Sequence, residues 1–319
     1  EYDGTSNTVG NLTKTTEADG SVVSYTYDAL YRLTGETRTG TGPYTKTYGY
    51  DLAGNITTVD GAAFATYDSS NSIATLAGGG YTKDAAGQLQ SAGAPTVPYR
   101  SFSYTNFQQP WRHRNASSGW TEVQYDYDAL GRRIRRFDSV RTNYVFDADG
   151  NLLGEVAGGT PSVAYTWGPE GIVSERLLSG TPKSLWYHFG PQGETRYLTN
   201  AAGNVAASYR YTAYGRELSV TGSDYNRYRY GGKFGYYTDP LLGIILATYR
   251  WYDPYLMRWT TRDPIGFEGG VNLYEYVGGR PTVRNDRDGL LPIKNDSDSP
   301  FVYKPDDTSN EVRFCMPGQ

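Results

Sequence analysis

A single cysteine, Cys315, and only two histidines, His113 and His188, leave this sequence without an internal disulfide framework or a closed Cys/His zinc site. No metal and no cofactor are expected. Long apolar runs are missing too. The longest, Leu241 to Ala247, is interrupted by Gly243 and falls far short of the roughly 20 residues that a membrane-spanning helix needs. Charge of one sign is scarce: the formal net charge is −4, with the two signs interspersed, so no basic stripe marks a nucleic-acid partner. Neither an initiator Met nor a signal peptide precedes Tyr2-Asp3-Gly4, which reads as the middle of a repeat. The chain is therefore expected to be an internal or processed piece of something longer.

What is abundant is tyrosine, 31 copies against 10 Phe, with 39 Gly and 16 Pro spread from end to end. Gly and Pro cost a helix interior about 1 and 3 kcal/mol each, so helices of useful length are not expected. A repeat is expected instead. The unit is an aromatic, one residue, a second aromatic, then Asp or a small residue, with Gly three positions later and an aliphatic soon after. It stands in Tyr25-Thr26-Tyr27-Asp28, Tyr48-Gly49-Tyr50-Asp51 with Gly54, and Tyr125-Asp126-Tyr127-Asp128 with Gly131. Weaker copies end on Asp68, Asp84, Thr105, Asp147, Gly168, Gly190 and Thr212, so that successive anchors fall 16 to 23 residues apart.

Each part of the unit has a physical role. Aromatics at i and i+2 share one face of a strand, where β-propensity and cross-strand stacking favour them. The Asp opens a turn by accepting backbone N–H groups, and the Gly takes a positive φ without penalty. The aliphatic, such as Leu33, Ile56, Leu89 or Leu152, starts the returning strand. One unit is thus a hairpin of about 20 residues that depends on its neighbours for stability. The fold expected is all-β, with hairpins winding into a spiral sheet.

These repeats resemble the YD repeats of RHS proteins, toxin-complex shell components, cell-wall-associated bacterial toxins and teneurins. The resemblance covers roughly residues 1 to 225 and implies a hollow shell, or part of one, around an enclosed chain. After residue 225 the pattern changes to Tyr228-Arg229-Tyr230-Gly231-Gly232, then Tyr249-Arg250-Trp251-Tyr252-Asp253-Pro254, and then Arg262-Asp263-Pro264-Ile265-Gly266. It closes on Asp286-Arg287-Asp288-Gly289-Leu290. This order is similar to the RHS-associated core domain, which divides the chain into a shell at 1–225, a core segment at 226–290 and a C-terminal cargo or tail at 291–319.

The same resemblance implies self-cleavage by Arg250, Asp263 and Asp286, with the cut between Leu290 and Leu291. One departure is that Arg287 stands where the family usually has Pro. Two neighbouring carboxylates cannot both ionise easily, so one keeps a proton while the other activates a water. Arg250 would orient a carboxylate or hold the developing oxyanion. The only catalysis expected is this single-turnover aspartyl autoproteolysis. Asp before Pro or Gly also serves as a plain turn residue, and Arg in an aromatic strand also stacks on rings.

The implied partners are the chain's own C-terminal toxin, the rest of the shell before residue 1 and a secretion apparatus, with a secreted or cell-surface location. The alternative is an extracellular adhesion or carbohydrate-binding scaffold without activity, using exposed Tyr platforms. Cys315 reads as a packed or free thiol, Phe301 to Tyr303 as one strand, and Gly78-Gly79-Gly80 as a hairpin loop rather than a phosphate loop.

Overall fold

The computed structural model describes residues 10–115, 121–222 and 225–290, with two short strands at Phe301–Tyr303 and Arg313–Cys315. Among these residues there is no α-helix, and the regular structure is antiparallel strands with three single 3-10 turns.

The anchor residues behave as their chemistry demands. Asp28 Oδ1 accepts the N–H groups of Leu30 and Arg32, both at 2.9 Å, while the Tyr31 N–H donates to the Asp28 carbonyl at 3.0 Å. The same pair of bonds, to the second and fourth residues on, recurs at Asp51, Asp68, Asp84 and Asp128, and Thr105 makes it with its hydroxyl. The third residue is always left-handed. Gly54 and Gly87 sit at φ 83° and 81°, and where glycine is missing Tyr31, Asn71 and Gln108 adopt φ 63°, 61° and 61°. The bonding around the anchor, and not glycine alone, imposes the turn. A further turn of this kind, Asn200 to Gly203, escapes the repeat pattern because Thr199 stands where the second aromatic belongs, although Tyr197 holds the place of the first.

The second aromatic links one repeat to the one before it. Tyr50 donates to the Leu33 carbonyl at 2.6 Å, Tyr67 to Ile56 at 2.7 Å, Tyr104 to Leu89 at 2.8 Å and Trp167 Nε1 to Leu152 at 2.8 Å. Each acceptor is the aliphatic that opens the preceding return strand, so the two conserved-looking features of the unit meet in one bond. The first aromatic turns to buried carboxylates instead: Tyr48 to Glu36 at 2.7 Å, Tyr165 to Glu155 at 2.7 Å and Tyr187 to Glu175 at 2.8 Å.

Six strands from Lys14–Thr16 to Ala62–Ala63 pair in chain order, Ala65–Tyr67 pairs with Ile73–Leu76, and fourteen strands follow from Gly80–Lys83 to Glu217–Thr221. Gly78 and Gly79 lie in a hairpin turn closed by the Gly79 N–H donating to the Leu76 carbonyl at 3.2 Å, and Gly80 already opens the next strand. The winding then returns to its start. Arg196 pairs with Glu17 at 3.0 Å, the Ala213 N–H donates to Glu36 at 2.9 Å, and the Tyr50 and Tyr214 hydroxyls lie 2.7 Å apart. Side chains and not a backbone ladder join the two ends among the described residues, completing about one turn of the spiral.

The segment after residue 225 fills this turn. Its strands, Tyr237–Thr238, Ile245–Ala247, Arg250–Asp253 and Arg258–Trp259, are buried along their whole length. It touches the inward face on every side: Arg100 pairs with Asp253 at 2.8 Å, Tyr125 donates to Asp239 at 2.5 Å, Asn272 Nδ2 donates to Asn55 at 2.8 Å, and Tyr230 donates to the Ala213 carbonyl at 2.9 Å. One hydrophobic cluster runs from Leu33 in the repeats to Val277 in the core segment. His113 belongs to it, packed against Phe102, Tyr125 and Trp251, and burial pushes its pKa down to about 3.

The strand expected at Phe301–Tyr303 is present and pairs with Arg313–Cys315. The remainder of the tail, Leu291 included, lies outside the described residues, as does the Cys315 side chain.

Candidate self-cleavage centre

Arg250, Asp263 and Asp286 lie 13 to 36 residues apart in sequence and meet in one cluster. Arg250 stands on the strand Arg250–Asp253, with its backbone on the floor of the filled turn. Its Nη2 lies 2.8 Å from Asp263 Oδ2 and donates to Asp286 Oδ2 at 3.1 Å, so a single nitrogen serves both carboxylates. Its Nε donates to the Gly289 carbonyl, one residue before Leu290. The guanidinium lies over the Trp259 ring, 4.2 Å from its centroid, which fixes the plane of the fork. Stacking and ion pairing, alternatives in the sequence, are both present.

Each carboxylate is held by its own surroundings. Asp263 follows Arg262 on the way out of the last core strand; its N–H donates to the Leu273 carbonyl at 2.9 Å, and its Oδ1 accepts the Ile265 N–H at 3.1 Å. Gly269 passes so close that a Cβ there would lie 2.7 Å from Asp263 Oδ2. Burial pushes the Asp263 carboxyl above its usual range, against the pull of Arg250 and the Ile265 N–H. Burial likewise pushes the Arg250 guanidinium down, and the two carboxylates oppose that shift.

Asp286 opens a turn. Its Oδ1 accepts the Gly289 N–H at 3.0 Å, and the same N–H lies 3.3 Å from its carbonyl. Arg287 therefore occupies the second position of a four-residue turn, where Pro is favoured but most residues are accepted. Its side chain is exposed. Gly289 is required: its φ is +82°, and a Cβ would stand 2.9 Å from the Ala247 carbonyl oxygen and 3.0 Å from Arg250 Cβ.

Three residues of this centre have no role assigned to them from the sequence. Tyr236 accepts the Asp286 N–H at 3.0 Å and donates to the Asp286 carbonyl at 2.5 Å, clamping that peptide from both sides. Trp259 supplies the ring under Arg250, and Gly289 the close approach. Nothing in the spacing singles out Tyr236 among 31 tyrosines, whereas the glycine before Leu290 was readable as a forced left-handed position. Leu290 is at the edge of the described residues and its N–H donates to Asp288 Oδ1 at 3.1 Å. Among the described residues no group of His, Cys, Asp or Glu is arranged to hold a metal.

Comparison with known proteins gives three results. A family model described as the teneurin YD-shell matches residues 1–146. The tRNA3(Ser)-specific nuclease WapA of Bacillus spizizenii is 28% identical over 294 residues, 88% of this chain and 11% of that protein. Double-stranded DNA deaminase toxin A of Burkholderia cenocepacia is 25% identical over 305 residues, 86% of this chain and 21% of that protein. This chain thus spans only about a tenth to a fifth of the length of these two relatives. Among solved structures, a crystal structure of TcdB2-TccC3-Cdc42 superposes with a TM-score of 0.66 at 19% identity, over 84% of this chain and 15% of that one, which establishes likeness of fold. The anchored turns, the winding sheet, the core segment inside it and these matches agree in supporting an RHS/YD-repeat protein.

Proposed function

We propose that this chain is part of a toxin shell that cuts its own backbone once, between Leu290 and Leu291, to free a C-terminal effector. The observation that carries the reading is the placement of Arg250, which contacts Asp263, Asp286 and the Gly289 carbonyl together. On this reading residues 1–225 are shell, 226–290 the cutting core and 291–319 the start of the released part.

The chemistry follows from the environments. Asp263, whose burial favours the protonated form, is the acid; Asp286 is the base. Asp286 takes a proton from water as its oxygen bonds to the Leu290 carbonyl carbon. Arg250, through Nη1, the nitrogen that serves neither a carboxylate nor the Gly289 carbonyl, faces the negative charge that develops on the carbonyl oxygen. Asp263 then gives its proton to the Leu291 nitrogen as the carbon–nitrogen bond breaks, leaving a free Leu291 amine and a Leu290 carboxylic acid that ionises in water. No separate substrate site is needed, since the bond is tethered beside the acids at high effective concentration.

The burial of the repeat tyrosines Tyr48, Tyr125, Tyr144, Tyr165, Tyr187 and Tyr209 in the core weighs against a carbohydrate platform built from them. An exported location and an enclosed effector accord with the toxin relatives and are part of the proposal. Sequencing the new N-terminus tests the register: the released piece should begin Leu291-Pro292-Ile293. A different start would overturn the assigned bond, and the absence of any second N-terminus would overturn the cutting itself.

A further inference from the structure

A cavity of about 480 Å³ opens between the turns of the middle repeats and the core segment, next to the Asp286 turn. Its character comes from Arg133, on the strand Arg133–Phe137. This side chain is only 3% exposed and lines the cavity, yet it forms no ion pair among the described residues. Its Nε and one terminal nitrogen, Nη1, are buried without a hydrogen-bond partner. What surrounds it is a cage of rings: its Cζ lies 4.1 Å from the centroid of Tyr237, 4.3 Å from Tyr144, 5.4 Å from Tyr125 and 5.5 Å from Trp251. The nearby acid, Asp239, attracts it but takes its side-chain hydrogen bonds from Arg136 at 3.0 Å and Tyr125 at 2.5 Å.

A guanidinium set among ring faces, with Asp239 attracting it only through space, keeps N–H groups unspent from which a carboxylate can accept. The remaining walls mix rings with charge, since Asp149, Arg287 and Asp288 line the cavity as well. Phe146, Trp167 and Tyr228 line them, and Arg132, which could compete for the anion, is paired with Asp128 at 2.8 Å. A cavity of this size holds a ring-bearing ligand, with Phe146, Trp167 and Tyr228 as ring faces and Arg133 as the buried cation.

We infer that this cavity is a binding site for an aromatic carboxylate, whose anion meets Arg133 and whose ring lies among Phe146, Trp167 and Tyr228. The inference is independent of self-cleavage, because none of Arg250, Asp263 and Asp286 lines the cavity. The same chemistry is offered by a free small acid and by the C-terminal residue of a peptide ending in Trp, Tyr or Phe.

Isothermal titration calorimetry of the full chain with N-acetyltryptophan, with its amide and with a tetrapeptide ending in a free Trp carboxylate tests this and separates the two sources. Expected is saturable binding of one per chain by the free acid, at least ten-fold weaker binding of the amide, and loss of binding in Arg133→Met. A tetrapeptide that binds as well as the free acid assigns the site to a chain terminus; one that does not assigns it to a small acid. Because Arg133→Met removes a buried side chain, Thr248→Trp at the exposed rim is the second variant, expected to weaken binding while the melting curve stays that of the parent. Equal affinity for acid and amide, binding undiminished by both substitutions, or no binding of any of the three probes would overturn the inference.

Discussion

Asp263 Oδ2 stands 2.8 Å from the Nη2 of Arg250, and that nitrogen also holds Asp286. The relationship makes Arg250 the one residue on which both acids depend. Arg250→Met should abolish cutting and, by leaving two carboxylates buried without their cation, cost about 3–5 kcal/mol of stability. Arg250→Lys keeps a charge but loses the fork that reaches Gly289, so it should fold better than the Met variant and still fail to cut. Urea unfolding paired with denaturing electrophoresis separates the two effects.

Gly289→Ala is the most local test of the turn. Positive φ and the close Ala247 and Arg250 backbone leave no room for a Cβ, so the substitution should displace the chain before Leu290 and slow cutting severely. The expected stability loss is about 1–3 kcal/mol. Normal cutting by this variant would mean that the turn moves before the reaction.

Arg287→Pro should be accepted. The residue is exposed at the second turn position, and Pro there presets the backbone that the turn needs. Cutting at the parental rate or faster is expected, with stability raised by about 0.4–1 kcal/mol, read from the urea midpoint.

The seam between the ends of the winding should weaken as pH rises. Glu36 accepts from Ala213 across that seam, and burial raises its pKa to about 7. A folded-state pKa above the unfolded one means that the fold binds the proton more tightly. Stability is full below about 4.5, falls as pH climbs to about 7, and then levels off at the lower value. Glu275, also raised to about 7 by burial, adds a slope of the same sign. Glu36→Gln should flatten part of this slope in melts between pH 4 and 8, and an unchanged slope would remove Glu36 as its source.

Tyr127→Phe tests the link between repeats and core. Its hydroxyl donates to the Pro110 carbonyl at 2.7 Å and accepts from Trp251 Nε1 at 3.1 Å. Removing it strands two buried groups, for a loss of about 2 kcal/mol or more in chemical denaturation.

The hairpins were legible because their determinants are local. An Asp accepting the N–H groups two and four residues on, and an aromatic pair on one strand face, are fixed by residues within a few positions of each other. The bonds from Tyr50 to Leu33 and from Tyr104 to Leu89 were half legible: both partners belong to the motif, but their meeting needs the offset between strands. The seam was not legible, since Glu17 with Arg196 and Glu36 with Ala213 are brought together by the curvature accumulated over the intervening strands. At the centre, Arg250, Asp263 and Asp286 were marked by motif resemblance. Tyr236 was not, because its role is to clamp a peptide 50 residues away through a hydroxyl that looks like any other.

The most direct test of self-cutting is the intact mass of the purified chain under denaturing conditions, beside Asp263→Asn and Asp286→Asn. The account predicts two masses in the parent, summing to the whole chain plus one water and divided between Leu290 and Leu291, and one uncut mass in each variant. A single uncut mass in the parent, or the same two masses in either variant, would contradict it.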